Sequence, residues 1–242
     1  MTVLALRLAG PLQSWGDASR FTRRLTRSEP TKSGVLGLLA AAQGRRRTEP
    51  IEDLAGLCFG VRVDQPGRLT RDFHTAIRWQ EKNRAGESPS MPLSYRYYLA
   101  DAVFVAGVEG DRALLEGLVD SLKEPRFPLY LGRRSCPVTG KLSLGLHEGK
   151  LEDVLRRLPW EASAWHQRQQ GRTVDLPLFL DAAAATPSPD AVAELVRDAP
   201  VSFNPVRREY GWRDVVRATP VTVDNPDGRA DVMDFLAALG GA

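Results

Sequence analysis

The order of the apolar segments in the first 147 residues constrains the fold more than any other feature of this sequence. Runs of strand character cover 3–8, 57–63, 68–76, 95–108 and 141–146, and runs of helix character cover 35–42 and 111–122. The strand runs are short and bounded by turn residues, whereas the helix runs place leucines on one face. The pattern β-α-β-β-loop-β-α-β therefore predicts an α+β fold.

This pattern resembles the split β-α-β arrangement of ferredoxin-like and RNA-recognition domains. Residues 78–94 interrupt it with a polar segment rich in turn formers, and we expect this segment to protrude as a long loop or hairpin. After residue 147 the pattern changes, with predicted helices at 151–158 and 189–197, an exposed loop at 182–189, and short strands at 213–217 and 221–223. We therefore expect a main domain over 1–147 and a smaller C-terminal α/β subdomain over 148–242.

Composition excludes several classes of protein. The chain has two cysteines among 242 residues, too few for a disulfide framework or a four-cysteine zinc site. No apolar run is long enough to span a bilayer, and the N-terminus has the pattern of a strand, not of a signal peptide. We expect a cytoplasmic protein without a membrane partner.

No motif for catalysis or cofactor binding is present in the sequence. The three histidines are widely separated, which argues against a metal site, and nucleophile elbows, phosphate loops and dinucleotide fingerprints are absent. A metal-independent ribonuclease would need a base, a proton donor and a cation at the phosphate. His74, Tyr130 or Tyr210 with Lys32 could be nominated, but no spacing selects them. We expect no cofactor and no catalytic residues, with endoribonuclease activity as the alternative.

The cations are almost all arginine, and they are unevenly distributed. There are 28 arginines and 5 lysines, while the net charge of the whole chain is only +3. Residues 1–50 carry nine cations and three anions, and residues 181–242 carry six cations and ten anions. Arginine can donate two hydrogen bonds to one phosphate and can stack on bases, so this excess suits nucleic-acid binding. A coding bias toward arginine would give the same count. The distribution indicates one electropositive face.

Two arginine-rich segments are candidates for phosphate binding. The first combines cations with the start of a helix, where free backbone N–H groups favour anions; its candidates are Arg20, Arg23, Arg24, Thr31, Lys32 and Ser33. The alternative is a solvated loop followed by an ordinary N-cap. The second segment, Gly132 to Ser135, puts Arg133 and Arg134 on a loop where glycine allows close approach to a phosphate. The alternative is a turn with two surface arginines.

Two further clusters have more ordinary interpretations. Residues 207–213 interleave arginines with Tyr210 and Trp212, which could stack on unpaired bases. A strand that packs both aromatic rings inward is the preferred interpretation. The arginines at 45–47 follow a helix C-terminus, where cations are favoured by the helix dipole, and we expect them to be solvated.

Five motifs, in order along the chain, resemble a known family. They are Leu-Ala-Gly-Pro-Leu-Gln-Ser-Trp-Gly at 8–16, Pro-Thr-Lys-Ser-Gly-Val-Leu-Gly-Leu-Leu-Ala-Ala at 30–41, Asp-Phe-His-Thr at 72–75, Tyr-Leu-Gly-Arg-Arg-Ser-Cys-Pro at 130–137 and Arg-Glu-Tyr at 208–210. Together they resemble the CasD family of subunits of Cascade, the crRNA-guided complex of type I-E CRISPR systems. The family belongs to the RAMP superfamily.

The resemblance implies a ferredoxin-like RAMP domain with a protruding β-hairpin thumb, which we place at about 78–98. It also implies a non-catalytic subunit that holds the 5′ handle of crRNA, caps the Cascade backbone subunits, contacts the large subunit, and lies near the handle-proximal end of the target DNA. A related type I-C subunit is itself a ribonuclease, which keeps the enzymatic alternative open.

On this basis we predict a set of RNA-binding residues. Gln13 and Ser14 are hydrogen-bonding candidates, and Trp15 either stacks on a base or belongs to the core. The full set is Gln13, Ser14, Trp15, Arg20, Arg23, Arg24, Thr31, Lys32, Ser33, Arg133, Arg134, Ser135, Arg208 and Tyr210.

Overall fold

A seven-stranded antiparallel sheet organises the chain in the computed structural model, which describes residues 1–16, 22–187 and 192–229. Its strands are β1 (Thr2–Ala9), β4 (Cys58–Gln65), β7 (Val103–Gly110), β8 (Ser143–Glu148), β9 (Thr173–Asp181), β10 (Val192–Ser202) and β11 (Glu209–Asp224). Their order across the sheet is β10-β11-β9-β4-β7-β1-β8. The helices are α1 (Lys32–Gln43), α2 (Glu52–Ala55), α3 (Arg112–Lys123), α4 (Leu151–Arg157) and α5 (Ala164–Gln167).

The predicted ferredoxin-like core is confirmed. Four consecutive strands of the sheet, β4-β7-β1-β8, alternate with α1 and α3 along the chain in the order β-α-β-β-α-β. The predicted strand run at 68–76 and the first part of the predicted run at 95–108 belong to a second sheet. Along β1, Leu4, Leu6 and Leu8 belong to the same core as helices α1 and α3, while Val3 and Ala5 belong to a second core. Because both faces are covered, β1 is apolar at nearly every position instead of alternating.

Helix α1 contains the predicted helix run 35–42 and extends it at both ends, from Lys32 to Gln43. Thr31 is the N-cap, and its hydroxyl accepts a hydrogen bond from the Gly34 N–H at 3.2 Å. Gly44 ends the helix in the left-handed region, at φ +80°, which glycine adopts without strain. The indole of Trp15 packs so closely on Gly34 that a Cβ there would lie 2.8 Å from the ring. This contact fixes the start of α1 against the segment 14–16.

The C-terminal half extends the sheet of the N-terminal half. Strand β9 pairs with β4, β11 pairs with β9, and β10 pairs with β11. Helix α4 packs in the second core with Val3, Ala5 and Val105. The chain after residue 148 therefore shares its sheet and this core with residues 1–147, and the smaller C-terminal subdomain over 148–242 stays a prediction.

The predicted helix at 189–197 is wrong, because residues 192–202 form strand β10. Alanine, glutamate and leucine in this segment favour a helix, but pairing with the long strand β11 overrides that local preference. The two predicted strands at 213–217 and 221–223 are one strand, β11. The register shifts between Ala218 and Val221, around Pro220, which lacks an N–H for the ladder.

A second sheet contains a β-hairpin over 68–100, with wider limits than the thumb predicted at about 78–98, which stays a prediction. Its strands are β2 (Leu12–Gln13), β3 (Arg23–Arg24), β5 (Arg68–His74) and β6 (Ser94–Ala100). Strand β6 pairs with the other three, and β5 and β6 form the hairpin, with residues 75–93 between them. Six of the seven residues of β5 are exposed. None of the helices in the described ranges combines the length and apolarity needed to cross a membrane.

Candidate nucleic-acid interface

A cleft of about 1660 Å³ is lined by α1 and the residues after it, the segment 127–134, and strands β10 and β11. Its charged lining is entirely arginine: within the described residues, no aspartate or glutamate lines it. The arginines are Arg24, Arg27, Arg45, Arg46, Arg47, Arg133, Arg134, Arg197 and Arg208. A concave surface lined by one sign of charge concentrates the opposite charge, so the cleft attracts polyanions.

The loop at 132–135 meets the loop after β1 at the edge of this cleft. The Ser14 N–H donates to the Leu131 carbonyl at 3.1 Å. Gly132 has φ +86°, and a Cβ at this position would lie 1.8 Å from the Ser14 carbonyl oxygen. Only glycine fits this backbone crossing, which brings two of the sequence motifs together.

Arg133 and Arg134 have different environments. The Arg133 guanidinium donates to the carbonyls of Tyr97 at 3.1 Å and Arg24 at 2.7 Å, and it lies 4.8 Å from the centroid of the Tyr98 ring. Arg134 is exposed and makes no side-chain hydrogen bond or ion pair within the described residues. Arg133 therefore braces β3 against β6, whereas Arg134 presents its charge to the cleft. Ser135 is exposed, with its hydroxyl 3.4 Å from the Tyr98 hydroxyl.

Gln13, Ser14 and Trp15 lie in the interior. The Gln13 amide donates to the carbonyls of Leu8 and Ala102, at 3.0 and 2.7 Å, and its oxygen accepts from the Trp15 indole N–H at 3.1 Å. Gln13 and Trp15 are fully buried and Ser14 is 3% exposed. Of the two interpretations given for Trp15, the structure has the core one. The hydrogen bonds of Gln13 hold the turn after β1, so we do not assign this side chain to RNA.

Lys32 is committed to a buried ionic network and not to the cleft, contrary to the phosphate role predicted for it. Its ammonium donates to Asp181 at 3.0 Å, and its backbone N–H donates to Asp198 at 2.8 Å. Arg213 bridges the same two carboxylates, at 2.6 Å from Asp181 and 2.5 Å from Asp198. Two cations and two anions thus balance inside the protein and join α1 to β9, β10 and β11.

Thr31 and Ser33 flank this lysine and line the cleft. Both side chains are largely buried, at 2% and 8% exposed, and the Thr31 hydroxyl serves as the helix cap. They contribute the floor of the cleft beside its arginines.

The arginines of the cleft divide into paired and unpaired groups. Arg27 pairs with Glu29 and Glu194, at 2.7 and 3.1 Å. Arg45 donates to Asp53 at 2.6 Å, and this hydrogen bond holds the pKa of Asp53 below its usual range. The lining arginines whose side chains are unpaired within the described residues are Arg24, Arg46, Arg47, Arg134 and Arg208. These five carry the charge that a ligand would meet.

Of the other predicted arginines, one is not among the lining residues and one cannot be placed. Arg23 is exposed on β3 beside Arg24, and Arg20 lies outside the described residues. Conversely, Arg46 and Arg47, predicted to be merely solvated after α1, line the cleft, because the chain that leaves α1 runs along its wall. The sequence feature that could have indicated an RNA-binding role for them is the run of three adjacent arginines at 45–47.

The aromatic residues of β11 are more accessible than predicted. Trp212 is 61% exposed and Tyr210 is half-buried, and both line the cleft, so the inward packing preferred from the sequence is wrong for Trp212. The Arg197 guanidinium lies 5.9 Å from the centroid of the Trp212 ring. Trp212 and Arg197 were both missing from the predicted set. Alternation of the aromatic residues along a strand could have indicated that they share one face.

The candidates for catalysis are dispersed. His74 lies on β5, with its ring 3.2 Å from the Asp72 carboxylate, and Lys32 is paired in the interior. Tyr130 and Tyr210 line the cleft, but none of the three histidines is among its lining residues. In the described ranges, no group of three or more His, Cys, Asp or Glu side chains could hold a metal ion.

Comparisons with known proteins agree with the motifs. A family model described as CRISPR-associated protein (Cas_Cas5) matches residues 3–216. The CRISPR system Cascade subunit CasD of Escherichia coli strain K12 is 37% identical over 156 residues, which are 59% of this chain and 70% of that protein.

Two solved structures are similar over almost the whole chain. One, described as a crystal structure of a Cas protein, is 39% identical with a TM-score of 0.67, over 93% of this chain and 97% of that one. The other, described as a CRISPR RNA-guided surveillance complex, is 32% identical with a TM-score of 0.71, over 98% of both chains. With the five motifs in place on this fold, the chain belongs to the Cas5 family of CRISPR-associated proteins, as a member of CasD type.

Proposed function

We propose that this chain is a crRNA-binding subunit of a CRISPR RNA-guided surveillance complex of the Cascade type, and that the arginine-lined cleft holds the 5′ handle of the crRNA. The observation that carries the proposal is the cleft itself, with nine arginines and no described acidic residue in its lining. A single-stranded RNA segment supplies phosphates for the arginines and unpaired bases for the aromatic side chains. The relationship to the Cascade subunit CasD supports the same assignment.

The number of unpaired arginines in the cleft gives an expected salt dependence for RNA binding. Each phosphate contact to a single strand adds roughly −0.7 to the slope of log K against log salt. If each of the five unpaired arginines contacts one phosphate, the slope is about −3.5. The paired arginines, Arg27 and Arg45, contribute less, because a carboxylate already neutralises each of them.

The test is the affinity of the full-length chain for a fluorescein-labelled handle RNA, measured by anisotropy across a salt series. We expect tight binding at low salt with a slope near −3.5, and the double variant Arg46→Glu/Arg47→Glu should abolish it. The matched control is Arg168→Glu/Arg172→Glu, which makes the same change in net charge at two exposed arginines that are not among the residues lining the cleft. Equal losses in the double variant and the control would show that the overall charge, and not the cleft, binds RNA.

We further propose that the subunit is not an enzyme. None of the three histidines is among the described lining residues of the cleft, and Lys32 is held by a buried carboxylate, so a histidine base and a phosphate-binding lysine do not meet in this part of the structure. We expect no cleavage of repeat RNA under single-turnover conditions with excess protein and EDTA. Accumulation of a discrete cleavage product would establish the endoribonuclease alternative.

The remaining contacts proposed for the subunit are those with the backbone subunit it caps, with the large subunit, and with the target DNA near the handle-proximal end. The hairpin of β5 and β6 is the element we assign to the thumb. Leu69, Phe73 and Trp79 are 66%, 63% and 75% exposed there, an apolar surface that suits docking in an assembly. Replacing Phe73 and Trp79 by serine should reduce recovery of the assembled complex without changing handle binding by the free chain.

A further inference from the structure

The phosphate contacts leave one feature of the cleft unexplained, the exposed indole of Trp212. We propose that Trp212 forms a base-stacking subsite, in which one unpaired base of the RNA packs on the open face of the indole. This inference rests on the RNA-binding function proposed above. It adds a place where the protein recognises a base, beyond the charges that bind phosphate.

The strand pairing around Trp212 is irregular in a way that serves this role. Val196 lies opposite Arg213 and Ala199 lies opposite Gly211, so Trp212 faces both residues between them. Two residues of β10 thus oppose one residue of β11, which is a β-bulge. Bulges of this kind redirect side chains and recur beside functional sites.

The bulge sends its two side chains in opposite directions. Asp198 points inward, where its carboxylate accepts from Arg213 and from the backbone N–H of Lys32. Arg197 lies over the Trp212 ring, and its Nε donates to the Tyr210 carbonyl at 3.3 Å. An unbulged strand would place only one residue opposite Trp212. The bulge therefore keeps the Asp198 carboxylate out of the cleft and places the Arg197 guanidinium over one face of the Trp212 ring.

Stacking on the open face follows from this arrangement. Arg197 covers one side of the ring, yet Trp212 remains 61% exposed. Tyr210 lies two residues earlier on the same strand, so both rings are on the side of the strand that lines the cleft. Every base has a π face, so stacking on such a platform tolerates any sequence, while nearby arginines hold the backbone.

The test compares Trp212→Ala and Trp212→Phe with the wild-type chain for the labelled handle RNA. Loss of one stacked base weakens binding by about 5- to 150-fold. We expect this loss for Trp212→Ala, an unchanged salt slope because no phosphate contact is removed, and near wild-type affinity for Trp212→Phe. The control is Trp165→Ala, which removes a tryptophan that is 42% exposed outside the cleft. Unfolding curves of both alanine variants verify that the fold is intact.

The outcomes separate this inference from the proposed function. If the wild-type chain fails to bind RNA, the proposed function fails and the stacking subsite fails with it. If the wild-type chain binds and Arg46→Glu/Arg47→Glu does not, but Trp212→Ala binds like wild type, only the stacking subsite is overturned. Equal weakening by Trp212→Ala and Trp212→Phe would also overturn it, because a phenyl ring retains a stacking face. Photo-crosslinking of 4-thiouridine-substituted RNA should label the peptide that contains Trp212.

Discussion

The two adjacent arginines of the 132–135 loop should separate into a binding residue and a bracing residue when each is replaced by alanine. Arg134 is exposed and its side chain has no partner within the described residues, so Arg134→Ala removes charge without removing a contact. We expect its stability to stay within about 0.5 kcal/mol of wild type and its salt slope to fall by about 0.7. Between 50 and 200 mM salt, the affinity advantage of the wild-type chain should then shrink roughly 2.6-fold.

Arg133→Ala should have the opposite profile. The guanidinium donates to the carbonyls of Tyr97, Arg24 and Leu25 and stacks over Tyr98, so its loss leaves acceptors without their charged donor. We expect a loss of about 2–4 kcal/mol in the free energy of unfolding.

The assays are urea unfolding for stability and anisotropy with the handle RNA across a salt series for binding. Measured on the same preparations, they assign each arginine to one role. An unchanged slope in Arg134→Ala would remove it from the phosphate role. A slope reduced by 0.7 in a fully stable Arg133→Ala would refute the bracing role.

Four further substitutions test other parts of the structure. Gly132→Ala should lower the free energy of unfolding in urea by about 2–5 kcal/mol, because the new Cβ would lie 1.8 Å from the Ser14 carbonyl oxygen, on a backbone with φ +86°. Gly117→Ala, in open space on α3, should raise the free energy of unfolding by about 0.5–1 kcal/mol. Lys32→Met should lower the free energy of unfolding by about 1–3 kcal/mol and leave the salt dependence of RNA binding unchanged, because the Lys32 ammonium is paired with a buried carboxylate. A weaker salt dependence in this variant would support the phosphate role predicted for Lys32. Burial lowers the pKa of His166 below 6.5, so its imidazole binds a proton less well in the folded state than in the unfolded state, and the free energy of unfolding should fall as pH drops below 6.5. The variant His166→Asn should flatten this part of the curve of melting temperature against pH. A slope that persists in the variant would contradict the assignment of the pH dependence to His166.

Local chemistry was sufficient to predict helices α1 and α3. The helix caps Thr31 and Asp111 accept hydrogen bonds from the N–H groups three residues later, as their side chains favour in any context. Gly44 ends α1 for an equally local reason, its positive φ. Strand β10 had no such local signature, because its helix-favouring residues become a strand only through pairing with β11.

The sequence by itself determined the ferredoxin-like core and the family, which depend on the order of residues along the chain, and the excess of arginine, which depends on composition alone. Only the tertiary structure decided which arginines are available. It pairs Lys32 with Asp181 in the interior, brings Arg46 and Arg134 to one cleft, and exposes Trp212 opposite a bulge. The physical reason is that charge and access are set by neighbours in space: a buried carboxylate neutralises one cation, while the absence of carboxylates in the described lining of the cleft leaves others free to bind phosphate.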